Sequence, residues 1–207
     1  MKTWDQFWPF VLPEVIGCPN PTVNFALAQA AREFCQRTSA WREWSDTFTA
    51  TGLVQRFDFD LPSQTELVAA KRCSVNGEDV QVLGSLNLPP DWSQTGTTFC
   101  GEALIHISMA EYMLYPLPTA GDVVAIEVAV KPTLAATGVG DDVYTKYAET
   151  VAKGALYRLL SSTRKPWTDL ASAVIARTAF EAGVHQAANE GFRQIAFKDR
   201  KVKAAPL

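Results

Sequence analysis

The two histidines of this sequence, His106 and His185, are its most obvious candidates for acid–base or metal chemistry. Each stands alone, because no His-x-x-x-His, His-x-Glu or Gly-x-Ser-x-Gly pattern and no Cys/His cluster accompanies it. The sequence therefore predicts no metal site, no cofactor and no catalytic centre, and a solvated or hydrogen-bonded histidine is the simpler interpretation of both. A small enzyme that uses one of them with an unrecognised nucleophile stays as an alternative.

Two short patterns near the middle of the chain resemble ligand sites but have simpler explanations. Gly138-Val139-Gly140 is too short to cradle a phosphate, and the acids that follow it would repel one. We interpret this stretch as part of a linker over residues 134–140. The pair Asp141-Asp142 could hold a cation, but capping of the helix that follows explains it more simply.

Cysteine usage and the chain ends point to an intracellular setting. The four cysteines are far apart in the sequence and form no Cys-x-x-Cys pair; they are Cys18, Cys35, Cys73 and Cys100. Buried free thiols in a reducing compartment are expected. The first residues show no signal peptide, and no apolar run is long enough to cross a bilayer. We therefore expect the cytoplasm as the place of synthesis, with no membrane partner.

The last sixteen residues carry an excess of positive charge, whereas the formal net charge of the whole chain is -3. Three apolar residues, Phe192, Ile195 and Phe197, are spaced among its charges, which include one acid, Asp199. The cations of this segment are Arg193, Lys198, Arg200, Lys201 and Lys203. A frayed terminus is one interpretation, but the spaced apolar residues favour an arm over 193–207 that orders on an acidic protein or nucleic acid.

Hydrophobic periodicity predicts helices towards both ends of the chain. Residues 20–39 carry apolar positions at helical spacing, with Asn20 expected as the N-cap. A second helix is expected over 141–164, begun by the two acids and ended before Pro166. A third is expected over 168–192, with its apolar face made of Leu170, Val174, Ile175, Ala179 and Phe180. Gly183 lies within it and suggests a close helix crossing or a kink.

Alternating apolar and polar residues predict strands between these helices. Residues 56–61 alternate cleanly, and the Asn76-Gly77 pair suits a two-residue hairpin. In residues 104–109 the pattern places Leu104 and His106 on the wet face, opposite Ile105. Together the patterns predict an α+β fold: a three-helix bundle formed from both chain ends, with an inserted antiparallel β-domain and a C-terminal arm. We expect the helical bundle to comprise residues 1–40 and 134–192, the inserted β-domain residues 41–133 and the C-terminal arm residues 193–207.

Aromatic residues leave open an alternative class, a β-rich module that binds a glycan or receptor. Such a module needs an aromatic platform, which Trp41, Trp44 and Trp92 could supply. Aromatic residues can also stack on nucleic-acid bases, but no basic stripe accompanies these. Packing in the core and at interfaces is the better explanation for most of them.

A series of short segments, in order and spacing, resembles the tail tubular protein A-like head–tail adaptors of short-tailed phages. The resemblance covers roughly residues 4–192. The segments that carry it are Trp8-Pro9-Phe10-Val11-Leu12-Pro13-Glu14-Val15, Gly17-Cys18-Pro19, Ala31-Arg32-Glu33-Phe34-Cys35-Gln36-Arg37-Thr38 with Trp41, Val75-Asn76-Gly77, Leu88-Pro89-Pro90-Asp91-Trp92, Leu114-Tyr115-Pro116-Leu117-Pro118, Val130-Lys131-Pro132-Thr133, Gly154-Ala155-Leu156 with Leu159-Leu160, and Lys165-Pro166-Trp167.

The resemblance implies a structural virion protein without catalysis. It implies a homo-oligomeric ring of about twelve copies in the head–tail neck, between the portal protein and the tail nozzle protein. DNA would pass through the ring without sequence-specific binding, and an acidic balance suits such a conduit because it does not attract phosphate. The arm residues Arg193, Ile195, Phe197, Lys198, Arg200, Lys201 and Lys203 would then contact the portal or neighbouring subunits.

Overall fold

The computed structural model describes residues 1–45, 47–54, 56–84, 103–108 and 111–196, with the backbone alone described for 84, 106 and 192–196. Within these ranges the chain forms four α-helices and a curled β-sheet, which confirms the predicted α+β class. It divides into two compact units. The helical unit comprises Met1–Trp41 and the chain from Pro132 onwards, and the β-unit comprises Arg42–Lys131.

The helical unit contains four α-helices, two 3-10 turns and a two-stranded sheet among its described residues. Its elements are β1 (Lys2–Thr3), a 3-10 turn (Trp4–Phe7), α1 (Trp8–Val11), a second 3-10 turn (Leu12–Glu14), α2 (Asn20–Thr38), β10 (Gly138–Val139), α3 (Asp141–Leu160) and α4 (Leu170–Ala196). None of the helices in the described part of the chain is long and apolar enough to span a membrane.

The predicted linker 134–140 contains a strand. Gly138 and Val139 pair antiparallel with Thr3 and Lys2. A Cβ at position 138 would lie 2.0 Å from the Lys2 carbonyl oxygen, so only glycine allows the two backbones to approach this closely. Sequence periodicity missed the pair because two residues are too few to show an alternation.

Both predicted helix caps are wrong. Pro19 is the N-cap of α2, and Asn20 is the first helical residue with no capping side chain before it. Gly140 is the N-cap of α3, so Asp141 and Asp142 lie inside the first turn, where their charges still favour the helix dipole. Helix α3 ends at Leu160, ahead of the predicted end at 164.

The core of the helical unit lies where α2 meets α3 and α4, each of which also packs against the other. Helix α2 buries one face completely, with Val23, Leu27, Ala30 and Phe34 at its centre. The Phe34 ring lies 5.0 Å from the ring of Tyr147 on α3. Cys35 is also buried, and desolvation raises the pKa of its thiol to about 12.

The β-unit is one sheet of eight strands among the described residues. The strands are β2 (Arg42–Trp44), β3 (Phe48–Thr49), β4 (Arg56–Asp58), β5 (Thr65–Val75), β6 (Glu78–Gly84), β7 (Ala103–His106), β8 (Glu111–Tyr115) and β9 (Val123–Pro132). Their order is β2-β9-β5-β6-β7-β8-β4, and β3 also pairs with β9. At the start of the unit, Arg42 lies opposite Ala129 in the β2–β9 pair.

The sheet is mixed rather than antiparallel throughout, which corrects the prediction. Strands β6 and β7 run parallel, with Gln81 opposite Ala103 and Leu83 opposite Ile105. A parallel pair needs a long crossover, and residues 85–102 make this connection. That segment lies outside the described residues.

Aromatic contacts show how strongly the sheet curls. Strands β3 and β4 belong to opposite ends of the strand order, yet the Phe48 and Phe57 rings lie 5.0 Å apart. The Tyr112 ring on β8 extends this aromatic group, because it lies 5.6 Å from the Phe57 ring and 4.7 Å from the Phe59 ring. Tyr112 is buried, and desolvation raises the pKa of its hydroxyl.

The predicted hairpin at Asn76-Gly77 is confirmed. Both residues have positive φ, 53° and 86°, and they join β5 to β6. The Asn76 side chain also accepts a hydrogen bond from the Val123 amide and donates one to the Asp122 carboxylate. The turn is therefore tied to the beginning of β9.

The predicted wet face of residues 104–109 is wrong at Leu104, whereas Ser108 on the same predicted face is exposed. Leu104 is fully buried, as is Ile105 on the opposite face. The Ile105 face packs in a cluster with Ala103 and Met113, flanked by Leu83. Alternation in a sequence does not reveal burial on both faces.

Replacing Phe34 with Ala tests the core. The ring is fully buried, so we expect the free energy of unfolding to fall by about 3–5 kcal/mol. Phe25→Ala on the same helix is the matched control, since that ring is 53% exposed and its loss should cost far less. Urea denaturation measures both, and equal losses in the two variants would contradict the assigned core.

Cys35 predicts a dependence of stability on pH. Its thiol has an ordinary pKa of 9.0 in the unfolded chain and about 12 when folded, so above pH 9 only the unfolded chain ionises it. The difference in the free energy of unfolding between the intact protein and Cys35→Ala is therefore constant below pH 9. Above pH 9 this difference falls by about 1.4 kcal/mol per pH unit. Denaturant titrations of both proteins from pH 7 to pH 10 under reducing conditions check this. A difference that stays constant with pH would refute it.

Candidate assembly surface

Two glycines set the distance of α4 from its neighbours. A Cβ at Gly154 of α3 would lie 2.7 Å from two carbons of the Phe180 ring and 3.1 Å from the Ala30 Cβ. A Cβ at Gly183 of α4 would lie 2.5 Å from Cγ2 and 2.6 Å from Oγ1 of Thr150. The close crossing suggested by Gly183 is confirmed, and it fixes which face of α4 is turned inward.

A chain of charged residues ties the three long helices together. Arg37 on α2 donates to both carboxylate oxygens of Glu181 on α4, at 3.0 and 2.6 Å, and to Glu33 at 3.1 Å. Arg158 on α3 donates to the other Glu33 oxygen and, at 2.6 Å, to the Gly154 carbonyl oxygen. The hydrogen bonds from Arg37 lower the pKa of the Glu181 carboxyl. Each arginine thus holds α2 against a different helix.

Helix α4 turns inward a different face from the one predicted. Its buried residues are Ala173, Ala176, Phe180, Val184 and Ala187. Of the residues predicted to form the apolar face, Phe180 alone is buried, while Leu170, Val174 and Ile175 are 62%, 65% and 70% exposed. We call these three residues the α4 ridge. An apolar group this exposed is typical of an interaction surface.

A second apolar surface lies beside the N-terminal turns. We call it the N-terminal cleft; it has a volume of about 590 Å³, and Trp8, Phe25 and Leu134 are among its lining residues. Its frame is fixed by hydrogen bonds from the Trp4 indole to the Ala136 carbonyl oxygen (2.6 Å) and from the Trp8 indole to Asn24 (2.9 Å). Phe25 and Leu134 expose their side chains although the frame around them is ordered.

The two candidate histidines belong to different units of the chain. His185 is exposed on α4, and His106 lies opposite Tyr112 in the β7–β8 pair with only its backbone described. Within the described ranges, no three His, Cys, Asp or Glu side chains are grouped so as to hold a metal ion. The three described cysteines, Cys18, Cys35 and Cys73, are free and buried.

The aromatic platform of the alternative binding module is not assembled among the described residues. Trp41 is buried, and its indole packs against Gly140. Trp44 is exposed, with the Arg72 guanidinium 5.8 Å from its ring centre. Trp92 lies outside the described residues.

The first residues of the predicted arm belong to helix α4. Helix α4 runs to Ala196, so the backbone at Arg193 and Ile195 is helical rather than extended. Helical periodicity missed this because the basic residues were grouped with the charged tail. Phe197, Lys198, Arg200, Lys201 and Lys203 lie outside the described residues.

A helical unit with an inserted β-unit and two exposed apolar surfaces is typical of a protein that acts through contacts with partners. The chain belongs to the SU10 adaptor protein family, whose model matches residues 18–200. It is therefore a phage adaptor protein with a structural role and a virion component. No curated protein matches the chain.

The crossing of α3 and α4 can be tested at Gly183. Gly183→Ala should raise helix propensity by up to about 1 kcal/mol, but the new methyl group collides with Thr150, so we expect a net loss of stability. Thr150→Ala removes both colliding atoms, and Gly183→Ala should then be neutral or stabilising in that background. A double-mutant cycle by thermal unfolding measures the coupling. Purely additive effects would show that the two helices are not in contact here.

Proposed function

We propose that this protein is a head–tail adaptor that forms a ring of about twelve copies between the portal and the tail nozzle of a phage, like the adaptors of short-tailed phages. The family match over residues 18–200 carries this proposal. Helices α2, α3 and α4 act as a three-helix bundle that forms the body of each subunit. The neck of the virion is the site of action, and subunits are made in the host cytoplasm.

The distribution of charge supports a conduit for DNA. Residues 42–131 carry twelve acids against five bases, whereas the segment from Phe192 carries one acid against five bases. The acidic part repels phosphate, which favours passage of DNA without sequence-specific binding. The basic part is short, and its charge is opposite to that of the acidic part.

The basic segment is the proposed contact with the portal or with neighbouring subunits. The backbone of α4 is helical to Ala196, so Arg193 and Ile195 belong to this helix. Cations facing an acidic groove would speed encounter and set register, while Ile195 and Phe197 would supply apolar burial. Eleven residues cost on the order of 1–2 kcal/mol each to order, so one arm binds weakly and a ring of arms binds tightly.

Truncation after Ala196 tests this function. We expect a folded protein with an unchanged melting temperature that no longer docks on portal-bearing capsids, because the packed elements are retained and the arm is lost. Cosedimentation with capsids measures docking. A second variant with Lys198, Arg200, Lys201 and Lys203 changed to Gln separates charge from length, and it should dock more weakly than the intact chain.

The outcomes are decisive in both directions. If the truncated protein still joins the neck, the segment is a passive terminus and the arm contact is wrong. If the intact protein never associates with capsids that carry a portal, the adaptor function itself is wrong.

A further inference from the structure

The α4 ridge lacks a packing partner within the described part of the helical unit. Leu170, Val174 and Ile175 lie within two turns of one helix face, and the small residue Ala171 beside them is also exposed. The inward face of the same helix is anchored by Phe180, so α4 cannot rotate to bury the ridge without losing its core. The ridge is thus a fixed apolar projection.

The N-terminal cleft is the matching concave surface. It is bordered by α1, α2 and the segment before β10, and it is largely apolar apart from a few polar groups. Asp5 is its one charged residue among those described, and it is exposed. The two tryptophan hydrogen bonds hold its walls in place, so it is formed before any partner arrives.

We propose that the α4 ridge of one copy docks in the N-terminal cleft of the next copy, an inference that rests on the ring of the proposed function and identifies its subunit interface. The chemistry of the two surfaces is complementary. Three exposed cations, Arg164, Lys165 and Arg177, lie close to the ridge in the sequence, and Asp5 supplies the opposite charge in the cleft. Asp169, the acid beside the ridge, is engaged with the Ala171 and Ser172 amides at the start of α4.

The placement of the two surfaces determines the symmetry of assembly. Ridge and cleft belong to different elements of one unit, so a single contact between them is head-to-tail and leaves a free ridge and a free cleft at the ends of every open oligomer. A head-to-tail contact closes into a ring when the rotation per subunit allows it. A contact of α4 with α4 would instead stop at a dimer.

Single substitutions separate these possibilities. Ile175→Asp and Phe25→Asp each place a charge on an exposed position, so both variants should fold, with circular dichroism melts like that of the intact chain. Each should weaken self-association about 30-fold or more, measured by analytical ultracentrifugation. Leu53→Asp is the matched control, since Leu53 is 87% exposed and belongs to neither surface; it should associate normally.

Mixing the two variants is the sharpest measurement. The Phe25→Asp protein keeps an intact ridge and the Ile175→Asp protein an intact cleft, so the mixture should form a one-to-one dimer and nothing larger. A Phe25→Asp variant that associates normally, a mixture that stays monomeric, or an intact protein that is monomeric at about 1 mM would overturn the proposal.

The proposed interface and the proposed adaptor function can fail separately in these experiments. Association through ridge and cleft in a protein that never docks on capsids would leave the interface standing and remove the adaptor function. Docking of the intact protein on capsids together with undiminished assembly of both variants would do the reverse.

Discussion

The close approach of α3 and α4 is the constraint on which the helical unit depends. Gly154 leaves the space that the Phe180 ring fills against Ala30, so one aromatic side chain is shared by all three long helices. Gly183 lets α4 lie directly on Thr150 one turn further along. These contacts fix the rotation of α4 about its own axis, and the α4 ridge is therefore exposed. Glycine weakens a helix, and here the packing that it permits compensates for that loss.

The sequence predicted those elements that are specified locally. Helix α2 has one broad apolar face, and the Asn76-Gly77 turn needs two residues that tolerate positive φ; both were found. The inward face of α4 was not found, because the helix carries apolar residues on two faces and only the glycine contacts with α3 select between them. The β1–β10 pair and the parallel β6–β7 pair are long-range partnerships that no local pattern encodes.

The exposure of the α4 ridge could not be predicted from the sequence. Lone histidines and scattered cysteines gave a clear expectation, but exposure of Leu170, Val174 and Ile175 is a property of the packed helices. An apolar residue in a sequence is assigned to the core by default, since most are. Membership of the SU10 adaptor family gives the exposed surfaces a reason, because an adaptor acts through the faces that it leaves uncovered.

The pairing of Arg42 with Ala129 places the two ends of the β-unit side by side. The chain leaves the helical unit after Trp41 and returns to it at Pro132, so the insertion enters and exits through adjacent strands. An insertion whose two ends lie close together requires only that the two connection points of the receiving unit also lie close together. A change in the length or sequence of the β-unit that keeps its two ends together therefore leaves the connection to the helical unit unchanged.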